Sequence, residues 1–397
     1  MTTPYPPRIL IRSSWQTVNI GDIGHTPGLL SLLEKHVPEA ELWFWPCDVR
    51  NGVRAMLAER FPRLRWVETP ADVEEAFDQC DFFLHGSGPY LVRGDELALW
   101  RARTGKPAGV YGITLPPEHA TPETVARLSD CRFVCFRDSL SLQLAKERGV
   151  CSPVMEFGPD AAFAVDLRND APAETFLAAN GLEEGKFLCC IGRFRITPYW
   201  RIPAKNVPLD PVKHARNESL KEQDHAPLRA AITRIARETD LKILLCPEDE
   251  TQVSVNKEML YDRLPDDVRE RVVWRDRYWL TDEAVSTYVR SAGLFGHEMH
   301  SPIMCVGNGI PAIVARWTEQ TSKGFMWRDI GLAEWLFDFD QAADRERFPA
   351  AVVAWARDKT GALMRTAAAR EVVHRRQEAT MACLQAELKL AVAAPKV

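Results

Sequence analysis

Short apolar runs alternate with longer amphipathic stretches along most of this chain, a rhythm that few folds satisfy. Arg8-Ile9-Leu10-Ile11-Arg12 reads as a strand leading into a loop from Ser13 to His25. Thr26 is then expected to cap a helix with Pro27 at its first position and Leu29, Leu30, Leu32 and Leu33 on its buried face. Further strands are expected at Leu42–Trp45, Phe82–Leu84, Ala108–Tyr111 and Arg132–Cys135, with helices over Val53–Phe61, Pro70–Phe77 and Ser139–Arg148 between them. Strands that alternate with helices imply parallel βαβ units and a doubly wound sheet.

Between Asp166 and Gly185 the pattern lapses into polar, Ala-rich sequence, which marks a domain junction. A second alternation follows, with strands expected at Phe187–Ile191, Lys242–Cys246, Val272–Trp274, Gly293–Phe295 and Ala312–Val314. The segment Ile196–Pro227 carries five prolines among many charges and reads as a long loop of the functional or disordered kind. After Asp340 the chain turns helical, with one amphipathic helix around Val352–Ala356 and a longer one over Leu363–Leu390. The expected fold class is α/β: two Rossmann-like doubly wound domains, 1–175 and 176–340, with a C-terminal helical extension, 341–397, and a cleft between the halves as the default site.

With 397 residues, 46% hydrophobic and 26% charged, there is enough apolar material for a sizeable core in each half. The net charge of −5 comes without long runs of either sign, which argues against nucleic-acid binding and against an anionic membrane surface. Ten scattered cysteines, mostly inside apolar runs, read as reduced thiols in a cytoplasmic protein. Met1–Arg8 lacks the apolar core of a signal peptide, and no run approaches the ~20 apolar residues that span a bilayer.

Polar residues that follow a parallel strand face the place where open α/β sheets bind ligands. Asn19-Ile20-Gly21-Asp22-Ile23-Gly24 follows the first strand and reads as a ligand loop. His85-Gly86-Ser87-Gly88-Pro89 forms a glycine turn in which Ser87 and Gly88 are candidates for substrate contact and His85 for packing. In Arg137-Asp138-Ser139, helix capping is the expected role. Gly192-Arg193-Phe194-Arg195 offers guanidinium forks suited to phosphate or carboxylate. Gly296-His297-Glu298-Met299-His300-Ser301-Pro302 places two histidines and a carboxylate at a strand-to-helix turn, and His300 is preferred as an acid because Ser301-Pro302 looks like a helix start. Lys323 adds a cation after the next strand. Together Arg193, His300 and Lys323 make a cationic site for an anion with an acid beside it, and no ligand cluster argues for a metal.

These motifs resemble, from about Arg8 to about Leu336, those of the polysaccharide pyruvyl transferase family. Asn19-Ile20-Gly21-Asp22 is similar to its N-x-G-D loop, and His85–Pro89 to its glycine-rich turn. Arg137-Asp138-Ser139-Leu140-Ser141 and Asp160-Ala161-Ala162-Phe163 are similar to its R-D-x-x-S and D-x-A-F elements. Glu298-Met299-His300-Ser301, Gly309-Ile310-Pro311 and Lys323 match its R-x-H-S, G-x-P and lysine in part. The resemblance implies a fold like the two-Rossmann (GT-B) glycosyltransferases. It also implies transfer of an enolpyruvyl unit from phosphoenolpyruvate to a sugar diol, giving a pyruvate ketal in glycan assembly, with no further cofactor. It casts His300 as general acid, Arg193 and Lys323 as anion clamps, and Asp22 as base or hydroxyl anchor. Asn19, Gly21, Ser87, Gly88, Arg195, Glu298 and Ser301 complete the expected substrate-binding set. The expected partners are phosphoenolpyruvate and a saccharide or lipid-linked glycan, in a chain compatible with a homo-oligomer.

The chain departs from the family at Glu298, where an arginine is usual. A carboxylate there repels an anionic donor unless a neighbour neutralises it, and Arg195 or Arg316 are the cations expected to do so; otherwise the donor or acceptor differs. Two other classes fit the same fold: a nucleotide-sugar-dependent glycosyltransferase and a non-catalytic glycan-binding relative.

Overall fold

The computed structural model describes residues 5–393. The N- and C-terminal limits expected for the outer domains, and part of the Met1–Arg8 stretch, lie outside that range. The chain forms two compact units, one made of the chain up to Thr17, Asp22–Asp166 and the chain from Glu371, the other of Val18–Gly21 and Leu167–Arg370. The C-terminal helix Lys359–Ala393 is therefore shared, its first part belonging to the second unit and its last part to the first.

The first unit is built on a sheet of seven strands: β1 (Arg8–Ser13), β2 (Glu41–Pro46), β3 (Arg65–Trp66), β4 (Phe82–His85), β5 (Ala108–Ile113), β6 (Phe133–Phe136) and β7 (Val154–Phe157). They are ordered β3-β2-β1-β4-β5-β6-β7. The second unit holds six, β8 (Phe187–Ile191), β9 (Lys242–Leu245), β10 (Val272–Trp274), β11 (Gly293–Gly296), β12 (Ala312–Arg316) and β13 (Leu336–Asp338), ordered β10-β9-β8-β11-β12-β13. The paired strands run parallel in both sheets. Strands buried on both faces need continuous apolar sequence, and β4, β5, β6 and β8 are wholly buried. The expected α/β class with two doubly wound sheets is the architecture found.

In each sheet the chain order reverses once, between β1 and β4 and between β8 and β11. At such a switch point the connections leave in opposite directions and open a crevice at the strands' carboxyl ends. In the second unit this crevice is edged by Gly192-Arg193 after β8 and by His297-Glu298 after β11. Gly296, at φ 147°, permits the close approach of these strands, because a Cβ there would lie 2.2 Å from the Ile191 carbonyl oxygen.

Three expectations are corrected. The Asn19–Gly24 stretch is the start of a helix, Ile20–His36, and Pro27 lies inside that helix. The start is set by tertiary partners: the Ile20 N–H donates to the Glu248 carbonyl at 2.9 Å and the Gly21 N–H to Asn19 Oδ1 at 2.8 Å. Thr26 does not cap; its hydroxyl donates to Ser13 Oγ at 2.9 Å. The expected loop Ile196–Pro227 ends early, because Asp210 Oδ1 accepts from the Val212 and Lys213 N–H groups at 3.1 Å and Pro211 takes the first position of the helix Pro211–Glu238. The strands not anticipated, β3, β7 and β13, are all short edge strands: β3 and β7 are partly exposed, which dilutes the apolar signal, and β13 is only three residues long.

Candidate active site

The turn after β11 brings together the candidate acid, His300, and the carboxylate Glu298. Helix His300–Gly307 begins at His300, which is 3% exposed, and its Nδ1 lies 3.2 Å from Glu248 Oε1. Glu248 Oε2 accepts from the Ser301 N–H at 2.6 Å, so one carboxylate both caps this helix and holds the histidine. The Ser301 hydroxyl accepts from the Tyr288 hydroxyl at 3.1 Å. Gly21 brings the start of helix Ile20–His36 against the same side chain, since a Cβ there would stand 2.1 Å from His300 Cβ. The N-x-G-D glycine therefore makes room for a histidine and is not a flexible ligand loop. Asn19 Oδ1 is used in capping, as described above.

Glu298 is buried, and its charge is met by Arg193, whose Nη1 donates to Oε1 at 2.9 Å and Oε2 at 3.1 Å. The cation that neutralises Glu298 is thus neither Arg195 nor Arg316. Arg195 is committed elsewhere, to Asp224 at 2.8 and 2.9 Å and Asp340 at 2.5 Å. Arg316 donates to the Thr321 carbonyl at 2.9 Å and lies 3.4 Å from Asp338. Gln252 Nε2 also donates to Glu298 Oε1, at 2.5 Å. Burial raises the Glu298 carboxyl to about 6; Arg193 and, more weakly, Lys323 oppose this, while a hydrogen bond shared with Glu248 adds to it. Lys323 opens a short turn, Lys323–Phe325. Arg193 also donates from Nη2 to Thr197 Oγ1 at 3.1 Å and from Nε to the Phe194 carbonyl at 3.0 Å. It lines a cavity of about 550 Å³ with Thr197, Tyr199, Trp200, Leu209 and Lys213.

The second histidine belongs to the core. His297 is wholly buried against Trp317 and Phe339, its Nδ1 accepts the Arg193 backbone N–H at 3.4 Å, and burial holds its pKa well below the usual range.

The acidic turn Glu248-Asp249-Glu250 after β9 is a further part of the site, and its signal in the sequence is a run of carboxylates directly behind the expected strand Lys242–Cys246, the same strand-end position as Arg193 and His300. Asp249 Oδ1 accepts from the Thr251 N–H at 2.8 Å and hydroxyl at 2.6 Å, while Oδ2 is buried without a partner. Burial pushes this carboxyl up to about 7 despite those bonds. A raised folded pKa means that the folded state binds more protons than the unfolded state between about 4 and about 7, so this group's contribution to stability falls as pH rises through that window. Asp249→Asn is therefore expected to gain stability relative to the parent as pH goes from 4 to 8, by on the order of 2–4 kcal/mol. Urea unfolding at both pH values checks this; a pH-independent difference would contradict it.

The first unit's switch point is more structural. Ser87 is fully buried, its Oγ accepting from the Ala161 N–H at 3.1 Å and donating to the Tyr111 carbonyl at 3.3 Å. The Gly88 carbonyl accepts the Thr114 N–H at 3.1 Å. His85 stacks on Trp15 at 4.8 Å, and burial lowers its pKa to about 4. Arg137 bridges Thr114 Oγ1 and Asp160 Oδ2, each at 2.7 Å, so two sequence motifs close on one buried pair. Asp138 caps its helix through the Ser141 N–H at 2.8 Å. Asp22 stands in the first turn of its helix, paired with the Gln16 amide.

The family model for polysaccharide pyruvyl transferases matches residues 19–319, from the Asn19 cap through the His300 turn to Glu319. The chain belongs to the polysaccharide pyruvyl transferase family. No curated protein sequence matches this member. Among solved structures it is similar to Staphylococcus aureus MnaA determined with UDP, at 11% identity over 98% of this chain and 99% of that one, TM-score 0.59. UDP-GlcNAc 2-epimerase from Neisseria meningitidis bound to UDP-GlcNAc is similar at 10% identity over 96% and 100%, TM-score 0.59. Anabaena Alr3699/HepE in complex with UDP and glucose is similar at 10% identity over 97% and 99%, TM-score 0.57. These likenesses establish the GT-B-like fold of this pyruvyl transferase family member. No helix among its described residues is long and apolar enough to cross a membrane.

Proposed function

We propose that this family member transfers an enolpyruvyl unit from phosphoenolpyruvate to two hydroxyls of a saccharide, forming a cyclic pyruvate ketal and releasing phosphate. The observation that carries the reading is the turn after β11, where His300 is held by a carboxylate and Arg193 and Lys323 act on the neighbouring Glu298. Protonating the donor's methylene carbon gives an oxocarbenium-like centre at C2. One hydroxyl attacks that carbon and loses its proton, the C2–O bond to phosphate breaks, and the second hydroxyl closes the ketal as its proton passes to the departing phosphate. His300 is the proposed acid and Asp22 the proposed base or hydroxyl anchor. The cations offset the negative charge of phosphate and carboxylate. Because Arg193 already neutralises Glu298, the carboxylate at the family's arginine position does not by itself repel the donor. Saccharides or lipid-linked glycans are the proposed acceptors, and the free cysteines suit a reducing cytoplasm.

The test is release of phosphate from phosphoenolpyruvate in the presence of glycan acceptors. His300→Ala is expected to lower the rate by about 100-fold or more, and unchanged turnover would remove His300 from the acid role. Calorimetric titration with nucleotide sugars examines the glycosyltransferase alternative, which requires nucleoside diphosphate binding. Glycan binding with no donor turnover would favour the non-catalytic one.

A further inference from the structure

We propose that Glu248 is the positioning residue for His300, fixing its ring orientation and keeping the ring proton on Nδ1 so that Nε2 is the nitrogen that exchanges a proton with a ligand. Nothing in the family's sequence pattern, as matched above, uses this residue. Its place rests on four contacts of a wholly buried side chain and its backbone. Oε1 lies 3.2 Å from His300 Nδ1 and Oε2 accepts the Ser301 N–H at 2.6 Å. The Glu248 N–H donates to Gln252 Oε1 at 2.8 Å, and its carbonyl accepts the Ile20 N–H at 2.9 Å. Backbone and carboxylate are held at both ends, so the carboxylate has little freedom to follow a wandering imidazole.

The chemistry of the two acceptor oxygens argues for a tautomer. The Ser301 N–H is a donor that cannot change, so Oε2 must accept. A carboxylate without a proton can only accept at Oε1 as well, which requires Nδ1 to carry hydrogen. An oriented histidine with a fixed tautomer is the arrangement that acid–base catalysis needs. Glutamine cannot reproduce it. Its amide has one acceptor oxygen, and if that oxygen keeps the Ser301 N–H, the NH2 group faces Nδ1 and drives the proton to Nε2.

The catalytic consequence rests on the pyruvyl-transfer reading, but the orientation does not, and it is measurable in the resting protein. The experiment is long-range 1H–15N correlation on the full-length chain with 15N-labelled histidine at pH 7.5, with His300 assigned by its loss in His300→Ala. The expected result for the parent is the Nδ1–H pattern. In Glu248→Gln the Nε2–H form should appear, with a fall in phosphate release of about 100-fold or more at a KM for phosphoenolpyruvate within about threefold of the parent. Glu248→Asp, one methylene shorter, should retain the tautomer preference only in part. An Nε2–H parent, or an unchanged tautomer in Glu248→Gln, overturns the proposal. The parent measurement decides even if a variant fails to fold. A correct tautomer with no turnover of phosphoenolpyruvate on any glycan would leave Glu248 in place and remove the pyruvyl-transfer reading instead.

Discussion

Gly21→Ala is expected to lose stability and nearly all activity, against the direction that helix propensity gives. Gly21 is the second residue of the helix Ile20–His36, where alanine would ordinarily gain about 1 kcal/mol over glycine. The new methyl carbon would, however, stand 2.1 Å from His300 Cβ and 2.4 Å from its Cγ and Nδ1. Carbon atoms in contact need about 3.5–4 Å, so one backbone must retreat by more than 1 Å. Turning the imidazole gives no relief, because Cβ is fixed to the main chain. Helix His300–Gly307 is pinned through Ser301 to Glu248, and the facing segment is pinned through Ile20 to the same residue and to Thr281 Oγ1, which donates to the Ile20 carbonyl at 2.8 Å. Overpacking of this kind costs about 1–3 kcal/mol, enough to reverse the propensity gain. A displacement of about 1 Å at a proposed acid costs on the order of 100-fold in rate. Thermal unfolding and phosphate release read the two effects, and a more stable Gly21→Ala protein would show that the two elements separate easily.

The same residue shows what was legible in the sequence and what was not. The apolar runs of β1, β4, β5, β6 and β8 were readable because a parallel strand is buried on both faces. The turns at the two switch points could be located, since their position follows from strand–helix order. Roles inside those turns were harder, because partners come from distant sequence. Arg193 and Arg195 sit two residues apart with the same side chain, yet one meets Glu298 and the other Asp224 and Asp340. Asn19 and Gly21 carry the signature of a ligand loop and form a helix start because Glu248 supplies the carbonyl that receives the first N–H. Ser87 has the exposure expected of a ligand residue only if the Ala161 N–H and Tyr111 carbonyl are elsewhere, and the fold brings them to it. His297 and His300 are three residues apart; the aromatic packing of Trp317 and Phe339 makes one a core histidine, while the Glu248 carboxylate holds the other as the candidate acid.

Arg193→Met should have the largest effect on stability, and its pH dependence identifies the cause. The substitution keeps much of the apolar stem but leaves Glu298, 1% exposed, beside Glu248 and Asp249 with the neutral Gln252 amide and the weaker influence of Lys323. Removing one partner of a buried ion pair costs about 3–5 kcal/mol, chiefly because the remaining charge stays desolvated. The carboxyl can escape that cost by taking up a proton. Its folded pKa is already raised to about 6 with Arg193 present, so without the cation it rises further. An acid whose folded pKa exceeds its unfolded value loses stability as pH climbs from the unfolded value towards the folded one, and loses nothing below both. The variant's deficit should therefore be small near pH 4 and grow through pH 8. Arg193→Met with Glu298→Gln removes the orphaned charge and should recover most of the loss at pH 8, whereas additive losses in the double variant would show that Arg193 stabilises through its other contacts, to Thr197 and the Phe194 carbonyl. Phosphoenolpyruvate binding separates stability from function in the same set. If Arg193 also clamps the donor, the double variant regains its fold and still fails to bind phosphoenolpyruvate in calorimetric titration.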